Sequence, residues 1–236
     1  MPHIVKSYDQ KLKSLRKILY QQALLADKQL NKAFQALKEQ NQELAEKVVS
    51  IDRDINKMHT EVRYLSTEII ALRQPLAYDL RLVISAISIS SNIERIGDVA
   101  KNFTRNFKSF KVDVYGEDLL ERVEGLLKMA SQMHLEVLEC LKSKGAEEAL
   151  AVWRKDDHID KQYHSLFQEI LSKGSEVDDF NAIVKLLFVL KGIERIGDHA
   201  TNIAEDIFYI FKGTDLLETQ FPKQGRTEPK PDRYQM

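Results

Sequence analysis

Two stretches lying one hundred residues apart decide the fold: IERIGDVAKN at 93–102 and IERIGDHATN at 193–202. Eight of their ten positions are identical, and the same shift lays Asp79 on Asp179. Self-similarity at a fixed interval is the mark of a duplicated unit. Each copy sits inside a long segment whose apolar residues return every three to four positions, the period of an amphipathic helix. A third pair of segments echoes at a shift of 104, where DRDIN (52–56) lies over DDHID (156–160), matching at the first Asp and at the Ile.

Working outward from the repeat, the same period organises the rest of the chain. Residues 4–38 carry it through Leu12, Leu15, Leu19, Ala23, Ala26, Leu30, Ala33 and Leu37. Asn41 can cap a second helix running to about Arg73 through Leu44, Val48, Ile51, Ile55, Met58, Val62, Leu65 and Ile69,. Pro75 forbids continuing that helix and suits the first turn of a third, expected to reach about Phe110,. VDVYGED (112–118) reads as a linker. A fourth helix to Ser143, a fifth from Gly145 to about Gly174, and a sixth from Asp178 or Asp179 to Gly213 complete the pattern. The expected class is all-α, with two tandem three-helix bundles of six long helices. The bundles span 1–111 and 119–213, and a flexible, polar tail covers 214–236.

Composition agrees and excludes alternatives. The 236 residues contain 9 Gly and 5 Pro, well under the usual shares of about 7% and 5%. Only Pro75 interrupts residues 3–221, so a turn-rich all-β fold is ruled out. The net charge of −1 lacks the basic excess expected of a nucleic-acid binder. No pure apolar run exceeds five residues, the length of Leu186–Leu190, far short of the roughly 20 residues that span a bilayer. No signal-peptide core is visible, and the single Cys140 cannot form an internal disulfide. A cytoplasmic location is the expectation.

The chemistry-bearing residues are acids. On a helix, residues four apart share a face, so Glu94 and Asp98 form one stripe and Glu194 and Asp198 another. If helices two and three turn near residue 74, Asp52 lies level with Glu94 and Asp98. If helices five and six turn near 176, Asp156 and Asp160 fall beside Glu194 and Asp198. Gathered carboxylates repel and raise one another's pKa. A metal ion, a bound proton, an arginine such as Arg95 or Arg195, or water must offset this. Oxygen-rich sites suit hard cations, and carboxylates also bind zinc and iron. Gly97 and Gly197 each cost a helix about 1 kcal/mol relative to Ala, so their repetition points to close helix approach or a tight site. Catalytic signatures are absent: no Walker-type phosphate loop and no G-x-S-x-G motif occur,. The expectation is therefore a protein that is not an enzyme and binds no nucleotide.

At ERIGD the chain resembles the PhoU family of phosphate-transport accessory proteins, over about residues 4–213. RQPLAYDLR (73–81), the two ERIGD segments and DDHID (156–160) carry the resemblance. It implies two three-helix bundles and a homodimer. It also implies a phosphate-signalling adaptor acting between a phosphate ABC transporter, through its nucleotide-binding subunit, and a sensor histidine kinase. In that role the protein would restrain both the phosphate-starvation response and phosphate uptake. Some members bind iron or zinc clusters through Glu/Asp-x-x-x-Asp motifs. By motif that role falls on Glu94, Asp98, Glu194 and Asp198, with Asp52, Asp156 and Asp160 facing them. Asn56 departs from the pattern where the second repeat has Asp160. The family-like RQPLAYDLR implies partner contact for Arg73, Pro75, Asp79 and Arg81. The alternative function is a carboxylate-bridged metal-binding protein, acting in metal storage or metal-dependent hydrolysis.

Overall fold

The computed structural model describes residues 2–105, 112–143, 145–174 and 179–220. All regular structure among them is helical. Helix α1 (Pro2–Glu39) is 38 residues long. Its eight periodic positions from Leu12 to Leu37 are all buried, so the stripe read in the sequence is the face it turns to the core. Asn41 then caps α2 (Gln42–Arg73), accepting a hydrogen bond from the Leu44 N–H at 3.2 Å. On α2 the seven-residue series Val48, Ile55, Val62 and Ile69 is fully buried. The alternate series Leu44, Ile51, Met58 and Leu65 packs at its edge, as expected for a helix held between two neighbours. Helix α3 (Ala77–Arg105) completes the first group, each of its members packing against the other two.

Small differences from the sequence expectations have local causes. Pro75 lies before α3 rather than in its first turn, because Gln74 and Ala77 both adopt left-handed backbone, each with φ of 46°. The expected continuation of α3 to Phe110 and the tail from 221 onward lie outside the described residues, as does Asp178. Part of the expected linker is helical: α4 (Val112–Tyr115) buries Tyr115, whose hydroxyl donates to the Ala182 carbonyl at 2.8 Å. The start of the expected tail is also structured. Asp215 accepts from the Leu217 N–H at 2.8 Å to begin α9 (Leu216–Gln220), and Leu216 is buried beside Ala146, Leu150 and Phe208.

The second group is α5 (Glu117–Ser143), α6 (Ala146–Trp153), α7 (Asp156–Gly174) and α8 (Phe180–Lys212). The expected fifth helix is thus two helices. The chain bends at Arg154 and Lys155, where the Lys155 N–H turns to the Val152 carbonyl at 2.9 Å. Helix α8, 33 residues and roughly 50 Å long, is packed by α5, α6 and α7. Asp179 caps its start and Gly213, at φ 75°, closes its end.

The two groups meet where α3 packs antiparallel to α8. Arg81 Nε donates to the Ile210 carbonyl at 3.0 Å, Asn92 meets His199 at 3.1 Å, and Val99 and Phe103 pack at Gly192. Under the hundred-residue shift the Asn92–His199 pair exchanges with the Gly192–Val99 pair. The seam therefore has an approximate internal two-fold, passing near Arg95 and Arg195. One hydrophobic core runs through both groups.

Candidate functional site: two carboxylate clusters that are not alike

The repeated acids come together as the helix pairing requires. Gly97 packs against Ile55, and Gly197 against Ile159, the two Ile residues matched at the shift of 104. These contacts set α2 against α3 and α7 against α8 in the same register. Asp52 accordingly lies beside Glu94 and Asp98, and Asp156 beside Asp160, Glu194 and Asp198. The glycines permit this closeness. A Cβ at 197 would stand 2.7 Å from Asp156 Oδ1, and one at 97 would stand 2.9 Å from Gln29 Oε1. Either Cβ would force the end of that side chain to shift.

The electrostatics of the two clusters differ. In the first, Lys101 Nζ donates to Asp52 Oδ2 at 2.7 Å and lies 3.6 Å from Asp98 Oδ1. That ammonium is the compensating cation, a role sequence reading had offered to Arg95. Burial, followed by the charges of Asp98 and Asp52, holds Glu94 above its ordinary pKa, while the Asp52 partnership pushes Lys101 up. In the second cluster the position of Lys101 is taken by Thr201, whose hydroxyl bonds back to the Asp198 carbonyl at 2.7 Å. Lys191 pairs with Glu194 from outside. Burial first, then Asp160, Asp198 and Glu194, pushes Asp156 up to about 7. Burial and Glu194 likewise raise Asp198.

Among the described residues no three His, Cys, Asp or Glu side chains converge closely enough to hold a metal ion. The two donor sets nonetheless differ in how they fit one. In the second, four carboxylates lie within electrostatic reach of one another without an internal cation, and Glu194 Oε2 is buried and unpartnered. By charge and donor type they suit a hard cation. The first set fits poorly, although Asp52 Oδ1 is also buried and unpartnered. Asn56 brings no charge, and Lys101 already occupies the place between Asp52 and Asp98. Neither His158 nor His164 enters the second cluster, and His199 points into the α3–α8 seam, toward Asn92.

RQPLAYDLR ties the molecule's ends together. Asp79 accepts from the Tyr8 hydroxyl at 2.8 Å, and the Tyr78 hydroxyl accepts from Arg16 Nη2 at 2.8 Å. Tyr78 stacks on Phe211 with ring centroids 5.6 Å apart. Arg81 reaches α8, its guanidinium lying against Gly213. Pro75 is buried and Arg73 half-buried, with its Nε unpartnered. What the turn presents outward is apolar: Leu72 and Leu76, the latter 81% exposed. The sequence reading missed these two. Their signal was the apolar pair flanking a proline turn.

A duplicated, all-helical chain with carboxylate pairs at matching places in each copy defines a narrow class of protein. The PhoU domain matches residues 19–106 and 123–207. A Caulobacter vibrioides "Phosphate-specific transport system accessory protein PhoU homolog" is 34% identical over 222 residues, covering 94% of this chain and 96% of its own. The PhoU accessory protein of Escherichia coli K12 is 32% identical over 215 residues, covering 91% and 89%. Crystal structures of PhoU from Streptococcus pneumoniae and Pseudomonas aeruginosa superpose with TM-scores of 0.81 and 0.80. Their identities are 26% and 32%; they cover 89% and 88% of this chain and 99% and 100% of their own. The chain belongs to the PhoU family.

Proposed function

We propose that this chain is a phosphate-signalling adaptor that restrains the phosphate-starvation response and phosphate uptake. It works without catalysis, in the cytoplasm and as a homodimer. It reports the state of a phosphate ABC transporter, through that transporter's nucleotide-binding subunit, to a sensor histidine kinase. The observation that carries this reading is the near end-to-end match to relatives named as phosphate-specific transport system accessory proteins. No described helix is long and apolar enough to cross a membrane, which suits a partner of membrane proteins rather than a component of the bilayer.

The turn at 73–81 supports a contact face. Asp79 and Arg81 brace it from within, while Leu72 and Leu76 offer exposed apolar surface for a partner to cover,. If a hard divalent cation binds, Asp156, Asp160, Glu194 and Asp198 would hold it, and its charge would neutralise theirs. Metal storage and metal-dependent hydrolysis, the alternative reading of the carboxylates, draw no support from the family match.

Deleting the gene should switch on phosphate-starvation genes in rich phosphate, and the protein should co-purify with the transporter subunit and the kinase. Unchanged expression in the deletion strain overturns the adaptor reading.

A further inference from the structure

A buried ring nitrogen in the α3–α8 seam lacks a hydrogen-bond donor. His199 lies in the seam, 7% exposed, and its Nδ1 meets Asn92 Oδ1 at 3.1 Å. The Asn92 amide is oriented by its own helix: Nδ2 donates to the Ser88 carbonyl at 3.1 Å, and a carbonyl can only accept,. Oδ1 is therefore an acceptor, for Asn202 Nδ2 at 3.4 Å as well, and His199 Nδ1 carries the hydrogen. The neutral imidazole then holds its lone pair on Nε2. That atom is buried and bonded to nothing among the described residues. An acceptor taken out of water without a donor is costly, so a donor from outside the chain relieves it.

The surroundings of the ring select that donor. Arg95 lies about one turn beyond Asn92 on α3, and Arg195 about one turn before His199 on α8. The helices are antiparallel, so both arginines fall on the same side of His199, toward the internal two-fold. Burial first, then the charges of Arg195 and Arg95, keeps the ring neutral. Glu94 lies within electrostatic reach of Arg95, and Asp198 within reach of Arg195. Both guanidiniums are thus partly balanced, and what lacks a partner is the ring nitrogen, not a cation. The two arginine residues are exposed. Arg195 also lines a cleft of about 430 Å³ between α3 and α8, which gives a small ion a way in.

A ligand suited to this place donates a hydrogen to Nε2 and turns negative charge to the guanidiniums. Water donates but brings no charge. An ammonium donates but is repelled by both arginines. Sulfate and carboxylates bring charge but no hydrogen at neutral pH. Orthophosphate brings both: it keeps at least one P–OH, beside anionic oxygens that guanidiniums bind in pairs. We propose that the α3–α8 seam holds a hydrogenphosphate site, in which a P–OH donates to His199 Nε2 and the anionic oxygens accept from Arg95 and Arg195. The site occurs once per chain, because the hundred-residue shift lays Val99, an apolar side chain, on His199. Free phosphate is distinguished from a phosphate monoester by the same hydrogen, since a monoester with its second pKa near about 6 has lost it at pH 8. The site is independent of the adaptor reading, which gene expression tests.

Isothermal titration calorimetry of the full chain at pH 8, in the presence of a chelator, tests the site with orthophosphate, sulfate and phenyl phosphate. Orthophosphate should bind saturably, one per chain, and the other two about tenfold more weakly. In nitrogen NMR the His199 Nε2 resonance should shift on adding orthophosphate and hold still with sulfate. His199→Val, which installs the counterpart residue, should bring orthophosphate down to the level of sulfate. Arg95→Gln and Arg195→Gln, on exposed residues, should each weaken orthophosphate by about tenfold and serve if the histidine variant fails to fold. Arg63→Gln, on an exposed residue of α2, should leave binding unchanged. The proposal is overturned if no saturable heat appears up to about 10 mM orthophosphate, if sulfate or phenyl phosphate binds as tightly, or if the folded site variants bind like the parent.

Discussion

Lys101 and Thr201 occupy the same place in two copies of one motif, and that single difference separates the clusters. Lys101 satisfies Asp52, which is almost wholly buried. Lys101→Thr leaves that carboxylate without its partner. The variant should lose about 1–3 kcal/mol in a chelator, between the values for exposed and fully buried pairs. Added Mn²⁺ should restore part of the loss and raise bound metal by about one ion per chain. Unchanged melting in chelator would show that Asp52 needs no cation. Asp156 makes the complementary case. Burial and four neighbouring acids hold it at about 7, against 3.8 for the free group. An acid raised in this way costs nothing below about pH 4, where folded and unfolded chains are both protonated, and costs progressively more as pH rises from about 4 to 7, where the cost levels off. Asp156→Asn should therefore melt higher than the parent at pH 8 in chelator and match it at pH 4. A parent that melts higher at pH 8 contradicts this electrostatic account.

Among the elements, the α2–α3 turn concentrates the strain. Gln74 ends α2 in the left-handed region, its N–H bonded to the Ile70 carbonyl at 3.2 Å. Glycine is the residue that occupies such a position without a Cβ penalty. Gln74→Gly should raise stability by about 1 kcal/mol, read by thermal melting, without weakening the Arg81–Ile210 tie. A fall in stability would mean that the Gln74 side chain contributes more than its backbone strain costs. Strain of this kind persists where the surroundings over-determine it. Here buried Pro75, the Tyr8–Asp79 bond and the Tyr78–Phe211 stack supply that determination while Leu76 is held out in solvent. The split of the expected fifth helix is less legible, since Arg154 and Lys155 are ordinary helix formers. The burial of Val152 and the start of α7 at the acidic cluster decide the bend.

For the molecule as a whole, the buried histidines oppose on acidification what the raised acids gain. Burial lowers His134 and His199 to about 4, from 6.5. A base depressed on folding contributes stability that is fully present above its unfolded pKa and is lost as pH falls toward its folded one. Their contribution should thus decline between about pH 6.5 and 4, by on the order of 3 kcal/mol for fully buried His134, against the opposite contribution of Asp156. His134→Gln should flatten that limb while lowering the melting temperature at pH 7, because its Nε2–H now donates to the Ala23 carbonyl at 3.3 Å. A variant whose acid limb keeps its slope would assign the decline to other groups.

The helices, their caps at Asn41 and Asp179, the stop at Gly213, the duplication and the facing of Asp52 and Asp156 by the ERIGD acids were all legible in the linear chain. Each depends on spacing along one helix or on the register of two helices joined by a short turn, and local periodicity encodes both. The unlike fates of the two clusters and the bracing role of Asp79 and Arg81 were decided only by the tertiary structure. Those features depend on which side chains α1, α2 and α8 each present to α3. The pairs concerned lie 49, 71 and 129 positions apart, and no local pattern specifies such distances. Lys101 was present in the sequence as an ordinary surface cation. Only the packed molecule shows that it completes a buried carboxylate.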